Sequence, residues 1–148
     1  MKANNTQNKL RALLAALALV TLIVVPSATA ASKKPVTLAS LAGTWQATLF
    51  SSADCGVGTQ LLTFTLNSGG AATDVEYLYH TSKCGNGKDS NQTLTITSLN
   101  SDGSGTAELI IEGTTLTLNI QVNPSSTVFN IVDATDAGQF HEGTAVKQ

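Results

Sequence analysis

The sequence predicts an all-β fold, an eight-stranded antiparallel up-and-down barrel with one disulfide bond. Apolar and polar residues alternate in eight segments, and no helical period competes with this alternation. Short connections rich in Gly, Asn, Asp and Ser separate the segments, which favours a meander that closes on itself. Charged residues make up only 12% of the chain and aromatic residues 5%, as expected for a Thr- and Ser-rich β-protein. A β-sandwich is the alternative, but it needs a crossover connection.

Each predicted strand is bounded by turn-forming residues and carries an apolar set at every second position. The strands cover residues 43–51, 60–67, 71–80, 91–100, 105–112, 114–123, 127–134 and 139–147.

Residues 1–30 have the pattern of a secretory signal peptide. Lys2, Lys9 and Arg11 precede an apolar run at 13–25, and Ala28 and Ala30 give small residues for cleavage. We expect an exported chain, periplasmic or secreted, with an N-terminal trunk at 31–41 and a barrel domain at 42–148. The alternative is an uncleaved anchor helix, for which the apolar run is short.

Cleavage would leave five lysines against ten acidic residues, a net charge of −5. Such a balance argues against nucleic acid or an anionic membrane as partner. Cys55 and Cys84 are the only cysteines, and in an exported protein an even number is expected to pair. The alternatives, a metal-binding pair or a catalytic thiol, lack zinc-type ligand spacing and a base motif.

The strand order predicts which loops share a rim of the barrel. Connections expected at 52–59 and 81–90 fall on one rim, here the long-loop rim, together with both cysteines. Pairing Ser51 with Gln60, and turning the second hairpin on Gly69-Gly70, would place Phe50, Leu61 and Leu78 in one outward row. We interpret that row as a candidate partner surface.

The interior is expected to be mostly filled by large apolar side chains, so any pocket should be shallow and lie at the long-loop rim. Tyr77, Tyr79, Phe140 and His141 are the candidate ligand-binding residues there. His80 and His141 are the only imidazoles, and the sequence positions no base, nucleophile or ligand cluster around them. We therefore expect no enzyme activity, no metal and no cofactor.

The stretch "LAGTW" at 41–45, entering the first strand of such a barrel, resembles the lipocalin-like, or calycin, barrels. The resemblance implies that Gly43 and Trp45 close one end of the barrel and that Lys147, near the end of the last strand, covers Trp45. Within that group the chain is most similar to small bacterial periplasmic inhibitors of secreted metalloproteases, whose N-terminal trunk enters the protease cleft. Avidin-like barrels also begin with Gly-Thr-Trp, but they need further Trp residues, and Trp45 is the only one here.

These observations favour a non-catalytic exported binding protein that takes a small apolar or amphipathic ligand at the long-loop rim. A protease inhibitor, with a secreted protein as its partner, and a structural or surface protein of the cell envelope are the alternatives.

Overall fold

A computed structural model of the chain describes residues 34–135 and 139–148. The described residues form one short helix and eight strands. In chain order they are α1 (Leu38–Leu41), β1 (Gly43–Ala53), β2 (Gly56–Leu66), β3 (Ala71–Thr81), β4 (Gly85–Leu99), β5 (Ser104–Ile111), β6 (Thr114–Val122), β7 (Val128–Asp133) and β8 (Phe140–Lys147). The predicted signal peptide and the first residues of the predicted trunk lie outside the described residues.

The eight strands form a closed antiparallel barrel in which every strand pairs with its neighbours in sequence and β1 pairs with β8. The predicted fold class is therefore confirmed. The strands form where the apolar alternation lies, because the period of two puts one set of side chains inside the barrel and the other in solvent. Along β6, for example, Leu116, Leu118 and Ile120 are buried, whereas Thr117 and Asn119 are exposed.

The first hairpin is tighter than the sequence predicts. Ala53 pairs with Gly56 around the two-residue turn Asp54-Cys55, so Ser51 lies opposite Gly58. The predicted pairing of Ser51 with Gln60 is wrong, because much of the predicted 52–59 loop is strand. The slip is two residues and therefore keeps each side chain on its predicted face.

The second predicted long loop is also largely strand. β4 already begins at Gly85, and Gly85–Asp89 pair with Tyr77–Thr81 of β3. The pairing becomes irregular beyond this segment, around Val75, and Asn91 there has a positive φ of 62°. Both hairpins, here called the two arms, thus continue as strand to the long-loop rim, where β2 and β3 remain paired and the Lys83 N–H donates to the Cys55 carbonyl.

The predicted disulfide is confirmed and joins the tips of these two arms. Cys55 lies in the β1–β2 turn and Cys84 in the β3–β4 turn, with 5.2 Å between their Cα atoms. The bond therefore spans β2 and β3 at the long-loop rim.

The opposite rim is closed by α1 and the start of β1. Thr37 and Ser40 form a reciprocal capping box on this one-turn helix, which delivers the fully buried Leu41 to the barrel end. Trp45 is fully buried and donates its indole N–H to the Leu41 carbonyl at 2.8 Å. Lys147 pairs with Trp45 across β1 and β8.

The Lys147 side chain lies over this closed rim. Its Nζ is 5.8 Å from the Trp45 ring centroid and donates to the Ser40 carbonyl at 3.1 Å. A Cβ at Gly43 would approach the Lys147 Cε to 2.8 Å, so the absence of a side chain there leaves room for the lysine. Val36 in the trunk is also buried, and its backbone N–H donates to the Ser101 carbonyl.

The middle of the barrel is tightly filled. Phe129 packs against both Trp45 and Phe64, at centroid distances of 4.8 and 6.5 Å. The void among these side chains measures about 10 Å³, at the lower limit of the space that one water molecule needs.

The outward row proposed as a partner surface is not continuous. Leu61 lies opposite Leu78, but Phe50 lies opposite Thr59, two residues further along the strand. Leu61 is half-buried, whereas Phe50 and Leu78 are exposed. Phe50 instead packs on Phe140 of β8, with 5.8 Å between ring centroids.

Within residues 34–135 and 139–148, no helix has the length and apolarity required to cross a membrane.

Candidate functional site

A cavity of about 240 Å³ opens at the long-loop rim, above the filled middle of the barrel. Its wall comes from strands around the barrel and from the tip of the β1–β2 arm. The lining residues are Ser51, Ala53, Asp54, Cys55, Gly56, Gln60, Tyr77, Tyr79, Thr81, Ile111, Glu112, Thr114, Leu116, Gln139 and His141.

Three polar side chains of this cavity point into the barrel. The other inward-facing residues of β1 and β2 are mostly apolar. Ser51 follows the inward series Trp45, Ala47 and Leu49, and Gln60 precedes Leu62. Gln60 donates from Nε2 to the Ser51 hydroxyl at 2.9 Å. Its other amide atom, Oε1, is buried and has no hydrogen-bond partner among the described residues. An unpaired buried acceptor costs about 1–3 kcal/mol, so a bound molecule whose donor reaches this atom would gain free energy.

His141 is the third polar side chain. It lies opposite Ser51 across β1 and β8, and its Nδ1 is 3.0 Å from the Asp133 Oδ2 on β7. Both side chains are buried, with 8% and 2% of their surface exposed. The carboxylate accepts the Nδ1 proton, so in the neutral imidazole the lone pair is on Nε2.

Asp133 is stabilised in its charged form. Burial by itself raises the pKa of the Asp133 carboxyl, but hydrogen bonds from Thr135 and His141 outweigh it and hold the pKa below its usual range. The Thr135 N–H donates to Asp133 Oδ1 at 2.8 Å. The ionised carboxylate in turn fixes the orientation of the His141 ring.

Tyr77 and Tyr79 form the aromatic side of the cavity. They are two residues apart on β3, with ring centroids at 5.4 Å and planes inclined by 33°. Burial, the negative charge of Glu112 and the neighbouring Tyr79 raise the pKa of Tyr77 to about 12. Neither phenol hydroxyl is hydrogen-bonded to a described residue, and the Tyr79 phenol lies over Gly87 of β4, where a side chain would collide with it.

Glu112 stands at the mouth of the cavity, in the tight turn between β5 and β6. It has a positive φ of 50° and is followed by Gly113 at 81°, as a two-residue hairpin turn requires. Its N–H donates to Gln92 Oε1 at 2.9 Å, and Gln92 Nε2 donates to Asp89. The buried Gln92 thus ties the Glu112 turn to β4.

Of the predicted ligand-binding residues, Tyr77, Tyr79 and His141 line this cavity and Phe140 does not. Phe140 faces outward, 43% exposed, because it is one residue from the inward His141 on the same strand. Four further residues of the site, Ser51, Gln60, Glu112 and Asp133, were not among the predicted ligand-binding residues. Ser51 and Gln60 could have been found from the sequence, because the alternation of side chains along a strand places both on the inner face near a strand end.

The arrangement offers hydrogen bonding rather than a prepared nucleophile. Among the described residues the Ser51 hydroxyl bonds to Gln60 and not to His141, although a serine nucleophile needs its base within hydrogen-bond reach. The described part of the chain also contains no group of three or more His, Cys, Asp or Glu side chains placed to hold a metal ion.

Neither models of protein families nor curated protein sequences give a match to this chain.

Proposed function

We propose that the protein is a lipocalin-like binding protein that holds one small amphipathic molecule in the long-loop-rim cavity. The observation that supports this most is the contrast between the two spaces in the barrel. The middle leaves a void of only about 10 Å³, whereas the rim cavity has about 240 Å³. A cavity of about 150 Å³ can hold benzene, so a single ring with a short polar chain fits the larger space.

The two sides of the cavity support an amphipathic guest. Leu116, Ile111 and the Tyr77 ring supply apolar surface, while Ser51, Gln60 and His141 supply polar groups. A few polar groups on a mostly apolar wall fix the orientation of a ligand and give specificity. The fold itself is compatible with many functions, and the proposal rests on this site.

The trunk argues against the alternative of a protease inhibitor. Val36 and Leu41 are 6% and 0% exposed, and both belong to the core of the barrel. The segment from Val36 to Leu41 is thus held against its own barrel, so a protease cleft would have to be entered by the residues that precede Val36. We therefore expect the purified protein to inhibit no member of a panel of secreted metalloproteases.

Blocking the cavity mouth tests the proposal. Thr114 and Thr115 are both exposed neighbours at the start of β6, but only Thr114 lines the cavity. Thr114→Trp should abolish binding of small aromatic fragments detected by saturation-transfer NMR, and Thr115→Trp should preserve it. Equal fragment binding by both variants, or none by the wild-type protein, would contradict a ligand site at this rim.

A further inference from the structure

The cavity lining contains two carboxylates and two further side chains, Gln60 and His141, that can accept hydrogen bonds. Gln60 Oε1 is an unpaired acceptor on a side chain that is 95% buried, since the residue is only 5% exposed. With Nδ1 donating to Asp133, the His141 ring in its neutral form carries its lone pair on Nε2, and His141 lines the cavity. These groups need donors, and among the described lining residues only hydroxyl, amide and backbone groups can supply them.

The charged residues of the lining are acidic. Asp54 and Glu112 both line the cavity and are both exposed, and no described Lys or Arg is among the lining residues. Lys83 packs near Gly56 but is not part of the wall. A carboxylate or phosphate ligand would find no cation to pair with and would be repelled by both acidic groups.

The aromatic groups favour a cation as well. The rings of Tyr77 and Tyr79 lie side by side on the cavity wall, and aromatic faces attract ammonium groups. Glu112 and Tyr77 line the same cavity, and the negative charge of Glu112 contributes to the raised pKa of the Tyr77 phenol.

We propose that the cavity selects small amines in their protonated form, with the ammonium group attracted by the charges of Glu112 and Asp54 and hydrogen-bonded to acceptor groups on the cavity wall, and an apolar body over Tyr77 and Leu116. The inference rests on the proposed function, because it names the chemical class of the ligand at that same site. A primary ammonium group has three N–H donors, no acceptor and a positive charge, and this suits a lining with two carboxylates and no described Lys or Arg better than an alcohol does.

Three probes of similar shape separate the head groups: 2-phenylethylamine, 2-phenylethanol and phenylacetate. Isothermal titration calorimetry should show the amine binding at least about tenfold more tightly than the alcohol, because hydrogen bonds to charged groups are the stronger class. Phenylacetate should bind more weakly than either. The preference for the amine should decrease as salt is added, since Glu112 and Asp54 are exposed.

The matched variants are Glu112→Gln, on the cavity wall, and Glu108→Gln, an exposed position on β5 that is outside the wall. Both remove one negative charge. Glu112→Gln should weaken amine binding by roughly three- to tenfold and leave 2-phenylethanol within about twofold of its wild-type affinity. Glu108→Gln should change neither affinity beyond about twofold.

The outcomes distinguish the two proposals. An alcohol or carboxylate that binds as tightly as the amine, or equal effects of the two variants, would overturn amine selection while leaving a ligand site in place. If none of the three probes binds the wild-type protein, both proposals fail.

Discussion

At the scale of single residues, the two ends of the barrel use their aromatic side chains for different purposes. Trp45 is buried under Lys147 and bonded to Leu41, so its ring closes the barrel. Tyr77 and Tyr79 line an open cavity and keep hydroxyl groups without partners among the described residues. Spectroscopic signals of the only tryptophan therefore indicate whether the core is folded, and signals of the two tyrosines indicate changes in the cavity.

Removing the Trp45 ring should destabilise the protein without altering the cavity. Trp45→Ala should lower the free energy of unfolding by about 3–5 kcal/mol, since the side chain is fully buried. Urea denaturation followed by far-ultraviolet circular dichroism measures this. Phe50→Ala, an exposed aromatic on the outer face of the same strand, should cost no more than about 1.5 kcal/mol. Equal losses for the two variants would contradict a closure role for Trp45.

Asp133 should make the protein sensitive to acid. Its pKa is lowered in the folded state, so its contribution to stability is present above its unfolded value of about 3.9 and is lost as the pH falls through the folded value. Asp133→Asn should therefore be less stable at neutral pH and should lose less stability below about pH 4.

Urea unfolding at a series of pH values compares Asp133→Asn with Asp74→Asn, an exposed position on β3. The Asp74 variant should follow the wild-type curve. If the Asp133 variant also follows it, the hydrogen bonds from Thr135 and His141 do not stabilise the carboxylate.

At the scale of elements, the sequence predicted strands and faces better than turns. Inward positions such as Leu62, Phe64 and Leu66 follow from the period of two, and an even slip of register leaves them inside. The turn at Asp54-Cys55 was not predictable in this way, because residues 52–59 lack the alternation that marks a strand and contain several possible turns.

Contacts between side chains on neighbouring strands depend on those turns. Asp133 and His141 lie just beyond the last paired residues of β7 and β8, Val132 and Glu142. The connection between these strands is not bounded by a tight-turn signal, so the sequence could not specify that the two side chains meet. The sequence therefore predicts at which rim the cavity lies, but the set of polar groups that line it is known only from the structure.

The disulfide should stabilise the two arms and shape the cavity wall. Replacing Cys55 and Cys84 by Ser removes a cross-link between residues 29 apart in sequence, which should cost roughly 3 to 4 kcal/mol of unfolding free energy. The Trp45 environment lies at the other rim and should be unchanged in the folded variant. Guanidinium denaturation gives the stability, and near-ultraviolet circular dichroism gives the Trp45 environment. A variant as stable as the wild-type protein would show that the arms are held together without the bond.

At the scale of the whole molecule, one rim of the barrel is closed and the other holds a cavity. α1, Trp45 and Lys147 seal one rim, the apolar side chains fill the middle, and the arms extend around a cavity at the other rim. The sealed rim and filled middle supply the packed core that a domain of this size needs. If the proposed binding function holds, substitutions at the open rim can change ligand specificity with little effect on the core.

The most direct test of the account is chemical-shift mapping of the uniformly ¹⁵N-labelled protein during titration with 2-phenylethylamine. We predict that saturable shifts occur in the backbone amides of Ser51, Gln60, Tyr77 and His141, and that the Trp45 indole signal does not move. Shifts centred on Trp45, shifts spread over the outer faces of the strands, or no saturable shift would contradict a ligand site in the long-loop-rim cavity.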